Sequence, residues 1–483
     1  MKISKFNGSI NMRRRTFIKH TSILGAGMLA TKMSFAASAD FPTVRVAASQ
    51  RHFRSKAVDA AIQTFQSNVK NPELNWLFEN CFPNTLDTTV YHKEENGLSD
   101  TYVITGDIDA MWLRDSSAQV WPYLQFVNED AALKKLIAGV IRHQTKCILK
   151  DPYANAFYGD PDKVGEWKTD ETNMKPGIHE RKWEIDSLCY PIRLAFHYWK
   201  KTGDQQPFTE SWKKAIIATL KTFKEQQRKT GHGPYHFRRQ TQQPTDTLPM
   251  AGYGFPVNPV GLICSAFRPS DDATVFPFLI PSNLFAVKSL EQAAELVRVL
   301  FKDDILSSDL LGLAKEVEAA VQKYGIVNHP RYGKIYAFEV DGFGSAYLMD
   351  DANVPSLLSL PYLGSIALSD EIYQNTRKFA LSSDNPYFYK GTAAEGIGGP
   401  HVGQDMIWPM SITMRALTAT DRNEIKNCIR LLQNTHAGKG FMHESFHKDD
   451  PAKFTRSWFA WSNTLFGELL WKTYQEMPEL LSL

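Results

Sequence analysis

The sequence predicts an all-α protein, an (α/α)6 barrel (α/α toroid) with short β-hairpins in the loops. Apolar helical segments begin near residues 114, 184, 281, 353, 405 and 457, and acids, amides or arginine stand at each start. Neither the period-two alternation of a sheet protein nor the regularly interleaved strands of a doubly wound fold is apparent. Helical hairpins whose polar loops gather at matching ends describe a toroid, with a site in the cup that those loops form.

The individual helices are predicted from apolar residues at spacings of three and four. A first helix covers Ser55–Val69, and Ala131–Leu149 forms the antiparallel partner of the helix that starts near Arg114. The later segments and the polar motifs that lead into them follow the same pattern: Trp183–Trp199, Ser211–Gln227, Pro281–Phe301, Ser307–Tyr324, Met349–Asn353, Gly403–Asp405 and Phe454–Trp471. Lys334–Val340 is expected to form a hairpin in a loop.

Residues 1–39 are predicted to be a twin-arginine signal peptide. Arg14-Arg15-Thr16-Phe17 is followed by an apolar segment and by Ala37-Ser38-Ala39, an A-x-A cleavage site. This segment holds seven of the 55 basic residues and no acid, so residues 40–483 carry 48 basic against 52 acidic residues, a net charge of −4. We expect export to the periplasm or cell exterior, and a single catalytic domain over residues 40–483.

The composition argues against several classes of protein. No basic patch interleaved with aromatics indicates nucleic acid, and no apolar run after the signal approaches the ~20 residues of a membrane span. The five cysteines, at 81, 147, 189, 264 and 428, form no C-x-x-C pair, and a single disulfide stays open. The 12% aromatic content suits sugar stacking and core packing equally well. Nothing in the sequence indicates an oligomeric state.

The stretch Thr105–Leu124 (TGDIDAMWLRDSSAQVWPYL) combines charges with large apolar residues. Asp109, Arg114 and Asp115 are costly to bury unpaired, whereas Trp112 belongs inside a fold. The stretch is therefore predicted to line a polar pocket. A plain amphipathic helix with an acid near its N-terminus is the alternative.

Long motifs spread over the chain resemble glycoside hydrolase family 125. They are WLRDSSAQVWPY, FRPSDDATVFPFLIPSN, DGFGSAYLMDDANVPSLLSLPYLG, GTAAEGIGGPHVG with IWPMS, and MHESF followed by FTRSWFAWSN. The resemblance implies an (α/α)6-barrel, exo-acting α-1,6-mannosidase that inverts the anomeric centre, needs no metal or cofactor, and acts on mannose-containing glycans. The natural glycan depends on loop positions that the sequence does not specify.

Inverting hydrolysis needs one carboxylic acid to protonate the leaving oxygen and one carboxylate to activate water. The family's acid lies in the motif matched by RPSDDA and its base in the motif matched by HESF. The resemblance thus assigns Asp271 as the general acid, with Asp272 as the close alternative, and Glu444 as the general base. Residues Val275–Ile280 and the neighbouring carboxylate both favour a raised pKa for one of the two aspartates.

Further residues are candidates for holding the sugar. Arg114 and Asp115 come first, because an Arg/Asp fork both donates to and accepts from neighbouring hydroxyls. The remaining candidates are Asp109, Trp112, Arg268, His443, Glu395 and His401. Arg268 and His443 are equally well interpreted as braces of the pocket wall. Of Glu184 and Asp186, we expect at most one to face the pocket, because positions i and i+2 of a helix point apart.

The sequence is also compatible with other functions. His443-Glu444-x-x-His447 matches the zinc-protease pattern, which requires both histidines on one helical face, yet Gly438, Gly440 and Lys448-Asp449-Asp450-Pro451 surround it. A sugar lyase or phosphorylase on the same toroid is a second enzyme alternative. A glycan-binding or cofactor-bearing exported protein is a third, although no dinucleotide fingerprint or cysteine cluster favours a redox cofactor.

Overall fold

The computed structural model describes residues 41–482, so the predicted signal peptide lies outside the described residues. The α-helices are α1 (Lys56–Asn68), α2 (Pro72–Cys81), α3 (Asn84–Thr88), α4 (Leu113–Val120), α5 (Ala131–Lys150), α6 (Ile185–Thr202), α7 (Glu210–Gln226), α8 (Ile280–Leu296), α9 (Asp304–Tyr324), α10 (Glu371–Ala380), α11 (Pro409–Leu417), α12 (Arg422–Gln433) and α13 (Ala460–Glu476). Short 3-10 helices cover Ala48–Gln50, Trp121–Phe126, Pro244–Asp246, Met250–Gly252 and Pro478–Leu481, and a π-helical turn covers Val297–Phe301.

The longer helices form two concentric rings, which confirms the predicted α/α toroid. In the inner ring α4 packs on α6, α6 on α8, α11 on α13, and α13 closes back onto α4. Outside them, α5, α9, α12 and α2 pack against α6, α8, α11 and α13 respectively. The burial patterns agree: α8 and α13 are buried nearly all round, whereas α12 buries one stripe, Ile425, Cys428, Ile429 and Leu432.

The predicted fourth inner helix is the exception. Residues 354–360 and Leu363 are buried, but residues 354–364 run through turns and bends instead of a regular helix. Pro355 and Pro361 remove two backbone donors and disfavour helical geometry in the residues before them. The Asp350 carboxylate accepts hydrogen bonds from the backbone N–H groups of Leu357 (2.8 Å) and Leu358 (3.0 Å), so these donors are satisfied without a helix.

Short antiparallel strands fill the loops, as predicted. They form the pairs β1 (Val90–Glu95) with β2 (Leu98–Val103), β7 (Ile326–His329) with β8 (Gly333–Tyr336), and β11 (Phe388–Lys390) with β12 (Glu395–Ile397), and the three-stranded sets β3 (Met111–Trp112), β4 (Ala156–Phe157), β5 (Ile178–Glu180); β6 (Phe278–Leu279), β9 (Glu339–Val340), β10 (Ala346–Tyr347); and β13 (Met406–Ile407), β14 (Phe446–His447), β15 (Asp450–Phe454). β3 and β6 run directly into α4 and α8, and β13 ends just before α11. The strands therefore anchor loops at the N-terminal ends of inner helices.

The helix starts differ between the two rings. Several outer helices begin with a side-chain cap: Asp130 of α5, for example, accepts from the backbone of Ala132 and Leu133 at 3.0 and 3.1 Å. Inner helices α4, α6, α8, α11 and α13 have no such cap. Their open N-terminal ends face the loops that carry the polar motifs, which is where the sequence places the site.

The cysteines and the described helices add two findings. All five cysteines are free and buried, so no disulfide joins any of them in this structure. Among residues 41–482, no helix is long and apolar enough to cross a membrane.

Candidate active site

Charged side chains gather at the N-terminal ends of the inner helices. Arg114 is central: its Nη1 donates to Glu184 Oε2 at 2.7 Å and to Asp186 Oδ2 at 3.1 Å. Its Nε lies 3.5 Å from Asp115 Oδ2, and its Nη2 lies 3.5 Å from Asp271 Oδ1. One guanidinium thus meets four carboxyl groups from α4, from the start of α6 and from the loop before β6.

The expectation that at most one of Glu184 and Asp186 faces this region was wrong. Asp186 lies in the first turn of α6, but Glu184 precedes the helix in an extended conformation, with φ −132° and ψ 129°. The helical rule for positions i and i+2 does not apply across that boundary. Both side chains therefore reach the same nitrogen of Arg114.

Burial raises the pKa values of three acids in this cluster. Both Glu184 and Asp186 are fully buried. Burial raises the pKa of Glu184 well above its usual range against the opposing charge of Arg114, with Asp271 and Asp186 adding to the rise. It likewise raises the pKa of Asp186 to about 6 and, less strongly, that of Asp115, whose Oδ1 accepts from Thr105 Oγ1 at 2.6 Å. The cluster therefore retains protons that exposed carboxyls release.

Asp271 is the member of the aspartate pair whose side chain reaches solvent. Its side chain is 20% exposed, and its backbone has a φ of 67°, a left-handed conformation that non-glycine residues adopt rarely and often at functional sites. Asn155 Nδ2 lies 3.5 Å from its Oδ1, and the buried Lys182 ammonium donates to its backbone oxygen at 2.9 Å. The turn is held from both sides while its carboxyl stays open to the site.

Asp272 is oriented differently. It is buried, and its Oδ1 lies 3.4 Å from Nδ1 of His401. Although burial raises the pKa of Asp272, the charge of His401 and a hydrogen bond to it lower the pKa below its usual value. Burial in turn lowers the pKa of His401, but Asp272 outweighs this and raises it to about 9, with Glu444 and Asp271 contributing. Asp272 and His401 therefore form an ion pair near neutral pH.

Glu444 enters from the opposite side of the ring, on the loop before α13. Thr455 Oγ1 donates to its Oε2 at 2.8 Å, and Arg456 Nη1 lies 3.4 Å from its Oε1. Arg456 also pairs with Asp107 and donates to the Thr105 backbone oxygen at 3.3 Å. Thr105, which holds Asp115, thus links the Glu444 side of the site to the Arg114 cluster.

Two of the predicted sugar-binding residues are built into the wall. Arg268 Nε donates to Glu339 Oε1 at 2.6 Å, and Glu339 Oε2 accepts the backbone N–H of Val275 at 2.9 Å. His443 is fully buried, stacks on Phe454 with 4.1 Å between ring centroids, and donates from Nδ1 to the Ser457 oxygen at 3.0 Å. Burial lowers the pKa of His443 to about 4, so the ring is neutral.

Three other candidates have their visible contacts elsewhere. Asp109 is mostly exposed and pairs with Lys163 at 3.1 Å. Glu395 forms ion pairs with Arg415 at 2.9 Å and with Lys390 at 3.1 Å. Trp112 is buried in β3, where its ring meets that of His179 edge-on. No contact in the described residues ties Asp109 or Glu395 to the carboxyl cluster.

Arg456 and Thr455, which hold Glu444, are not among the residues predicted from the sequence for the site. The signal was available, since both belong to the FTRSW motif that leads into the last inner helix. Arg456, like Arg114, precedes or begins an apolar inner helix, so the same sequence pattern points to both residues. The pattern does not show that Thr455, eleven residues after Glu444, folds back to contact Glu444.

The zinc-protease interpretation fails on geometry. His443 and Glu444 lie in a loop, and His447 is in β14, so the two histidines do not share a helical face. His443 uses Nδ1 on a backbone oxygen, and Nδ1 of His447 accepts from the Asp449 backbone at 3.2 Å. Among residues 41–482, no group of three His, Cys, Asp or Glu side chains is arranged to hold a metal.

Acids of contrasting protonation around one polar site suit acid–base catalysis. Asp271 contacts Arg114, and the adjacent Asp272 contacts His401. Arg456 contacts both Glu444 and Thr105, and Thr105 donates to Asp115, so Glu444 belongs to the same site. One carboxyl that can donate a proton and one that can accept it are the groups glycoside hydrolysis requires.

Comparison with known proteins identifies the family. A sequence profile for metal-independent α-mannosidases (GH125) matches residues 71–471. The meiotically up-regulated gene 157 protein of Schizosaccharomyces pombe is 42% identical over 458 residues, covering 91% of this chain and 90% of that protein. A Streptococcus pneumoniae metal-independent α-mannosidase, solved as a non-productive substrate complex with α-1,6-mannobiose, is also similar: 42% identity, a TM-score of 0.82, and coverage of 87% of this chain and 97% of that one. The chain belongs to the GH125 family and is a glycosidase.

Proposed function

We propose that this α-mannosidase removes terminal α-1,6-linked mannose from glycans, acting from the chain end and inverting the anomeric centre. The observation that carries the proposal is the chain of contacts that links Asp271 and Glu444, two acids on loops from different parts of the ring. Asp271 pairs with Arg114, and Glu444 is joined to the Arg114 cluster through Arg456 and Thr105. The α-1,6-mannobiose bound to the Streptococcus pneumoniae relative supports the linkage.

Asp271 is the general acid in this mechanism. Its side chain is partly exposed and is turned into the site by an unusual backbone conformation. Asp272 is unsuited to the role because its pairing with His401 keeps it ionised, despite its burial. The Asp271 carboxyl gives its proton to the glycosidic oxygen as the bond to the anomeric carbon breaks.

Glu444 is the general base. Thr455 donates to its Oε2 and Arg456 lies 3.4 Å from its Oε1, and these contacts fix the orientation of the carboxyl group in the site. A water held by Glu444 loses its proton to the carboxylate and attacks the anomeric carbon from the face opposite the leaving oxygen. The product is β-mannose.

The proposal is tested with mannobioses of different linkage. Purified protein is incubated with the 1,6-, 1,3- and 1,2-linked disaccharides, with a chelator and with or without phosphate. We expect free mannose from the 1,6-linked sugar, unaffected by the chelator and by phosphate. Release only from the other linkages contradicts the linkage, and mannose 1-phosphate formed with phosphate indicates a phosphorylase.

A matched set of variants tests the residue roles. Asp271→Asn is expected to abolish cleavage of α-1,6-mannobiose and largely to spare aryl mannosides, whose leaving groups depart without a proton. Glu444→Gln is expected to abolish both reactions, because water activation is needed for either substrate. Full activity of Asp271→Asn on mannobiose transfers the acid role to Asp272.

We also propose that residues 1–39 direct export by the twin-arginine route. The supports are the Arg14-Arg15 pair, the apolar segment and the Ala37-Ser38-Ala39 site. N-terminal sequencing of exported protein is expected to begin near Asp40. Export that continues after Arg14→Lys with Arg15→Lys contradicts the route.

A further inference from the structure

Asp271 has a backbone conformation that must be held by its surroundings. Its φ of 67° lies in the left-handed region, which residues other than glycine occupy at a cost and keep only where other contacts fix them. Within the turn, the Asp271 N–H donates to the Arg268 oxygen at 2.9 Å, and the Arg268 N–H donates to the Asp272 oxygen at 2.8 Å. The backbone oxygen of Asp271 accepts its hydrogen bond from outside the turn, from Lys182.

Lys182 lies in the loop between β5 and α6, and its side chain is buried. Its Nζ donates to the Asp271 backbone oxygen at 2.9 Å and to Asp246 Oδ1 at 2.6 Å, and it lies 3.6 Å from Glu180 Oε1. Burial lowers the pKa of Lys182, but these acids raise it above its ordinary value, so the amine is charged. The ammonium is therefore held between two carboxyl groups and the oxygen of the turn.

Asn155 connects Lys182 to the rest of the site. Its Oδ1 accepts from the Lys182 backbone N–H at 3.1 Å, and its Nδ2 lies 3.5 Å from Asp271 Oδ1. Its backbone oxygen accepts from the N–H of Leu113 at 3.0 Å, one residue before Arg114, whose Nη2 also lies 3.5 Å from Asp271 Oδ1. The backbone and the carboxyl group of Asp271 are thus attached to one framework.

Arg239 is a second cation of the same buried network. It forms ion pairs with Asp170 at 2.6 Å, with Glu180 at 3.0 Å and with Asp246 at 3.1 Å. Among residues 41–482, it forms no hydrogen bond or ion pair with Asp271. Arg239 and Lys182 therefore share two acids, but Lys182 is the one that also bonds the turn.

We propose that Lys182 is a positioning residue, which holds Asp271 in its left-handed conformation and so directs the carboxyl group at the leaving oxygen. The inference rests on the proposed function, in which Asp271 is the general acid. Lys182 acts through the backbone of Asp271 and takes no part in proton transfer. A general acid must lie within hydrogen-bonding reach of the oxygen that it protonates. A turn that relaxes to a negative φ carries the carboxyl group out of that position.

Lys182→Met tests this role, because it replaces the donor with an unbranched apolar side chain. We expect kcat on α-1,6-mannobiose to fall by about tenfold to a hundredfold, with KM little changed. An aryl mannoside with a good leaving group needs no proton from Asp271, so its cleavage should stay close to the parent rate. Equal losses on the two substrates, or no loss on mannobiose, overturn the inference.

Arg239→Met is the matched control, since it removes a buried cation from the same acids. It should lower the melting temperature and change the two activities by the same factor. A selective loss on mannobiose as large as that of Lys182→Met would show that the charge of the network matters, and not the bond to Asp271. Lys182→Gln takes the place of Lys182→Met if that variant does not fold. Its amide is one bond shorter, so it keeps a donor near the acids but falls short of the Asp271 oxygen, and the same selective loss is expected.

The backbone of the variant gives a readout that does not depend on activity. A crystal structure of Lys182→Met, or of Lys182→Gln, is expected to show Asp271 with a negative φ and its carboxyl group displaced from Arg114 Nη2. A φ that stays near 67° with this contact intact overturns the inference. Failure of the parent enzyme on every mannoside refutes the proposed function instead, and the crystal structure still decides whether Lys182 holds the turn.

Discussion

Arg114→Met is the substitution with the most predictable effect, because it removes one cation and leaves four carboxyls facing each other. Loss of one partner from a buried ion pair costs about 3–5 kcal/mol. About 440 described residues, at roughly 2.1 cal/mol/K each, give an unfolding entropy near 0.9 kcal/mol/K. The melting temperature at pH 7 should therefore fall by about 3–5 °C.

The loss of melting temperature in Arg114→Met should depend on pH. Without Arg114, the folded-state pKa values of Glu184, Asp186 and Asp115 rise further, because Arg114 opposes the effect of burial on each. A carboxyl whose folded pKa is raised loses stabilisation as the pH rises from its unfolded towards its folded pKa. The loss of melting temperature should be smaller at pH 5 than at pH 8, as measured by scanning calorimetry.

Arg45→Met serves as the control for this experiment. Arg45 pairs with Asp87 at 2.7 Å and with Asp59 at 3.4 Å, neither of which pairs with Arg114, and its side chain is 10% exposed. Arg45→Met should lower the melting temperature without changing kcat/KM. Arg114→Met should lower the melting temperature and also reduce kcat/KM by about tenfold or more. A change below 1 °C at pH 7 for Arg114→Met, or a larger loss at pH 5 than at pH 8, refutes the reasoning.

Three further outcomes follow from the geometry. Burial raises the Asp186 pKa to about 6, so the parent enzyme loses stability as pH rises from 3.8 to about 6, and Asp186→Asn should flatten the melting temperature over that window. Nitrogen NMR should show that His401 is still protonated at pH 8. In Asp272→Asn, the pKa of His401 should fall by at least about one unit, because the burial that lowers it is no longer opposed by Asp272. An unchanged pKa excludes the ion pair. Thr455→Val should reduce kcat on mannobiose by about tenfold and leave KM little affected, because it removes the 2.8 Å hydrogen bond to Glu444. Thr455→Ser keeps the hydroxyl and serves as the control. An equal loss of kcat in both variants contradicts this explanation.

The sequence was informative about the toroid because apolar helices with polar starts form a regular pattern. It located the starts of α4, α6 and α8 within one residue, and those of α11 and α13 within four. It failed at residues 354–364, where Pro355, Pro361 and the bonds accepted by Asp350 override an apolar pattern. Apolar spacing reports burial and does not by itself distinguish a buried helix from buried turns.

The candidate site was predictable as a set of motifs but not as a geometry. The pattern placed Arg114, Asp271 and Glu444 at the same end of the ring, but it did not show that Glu184 lies outside its helix and shares Arg114 with Asp186. It also left Asp272 as a close alternative to Asp271, whereas the structure buries Asp272 and leaves the Asp271 side chain partly exposed. These distinctions arise from loop conformations, which adjacent residue types only weakly determine.

The anomer first released from α-1,6-mannobiose tests the account most directly. Proton NMR recorded during the first minutes of the reaction, before mutarotation, distinguishes the two anomers of free mannose. Hydrolysis with Asp271 as acid and Glu444 as base on opposite faces predicts β-mannose as the initial product. Initial α-mannose would show retention, which requires a carboxylate nucleophile, and would contradict the roles assigned to both residues.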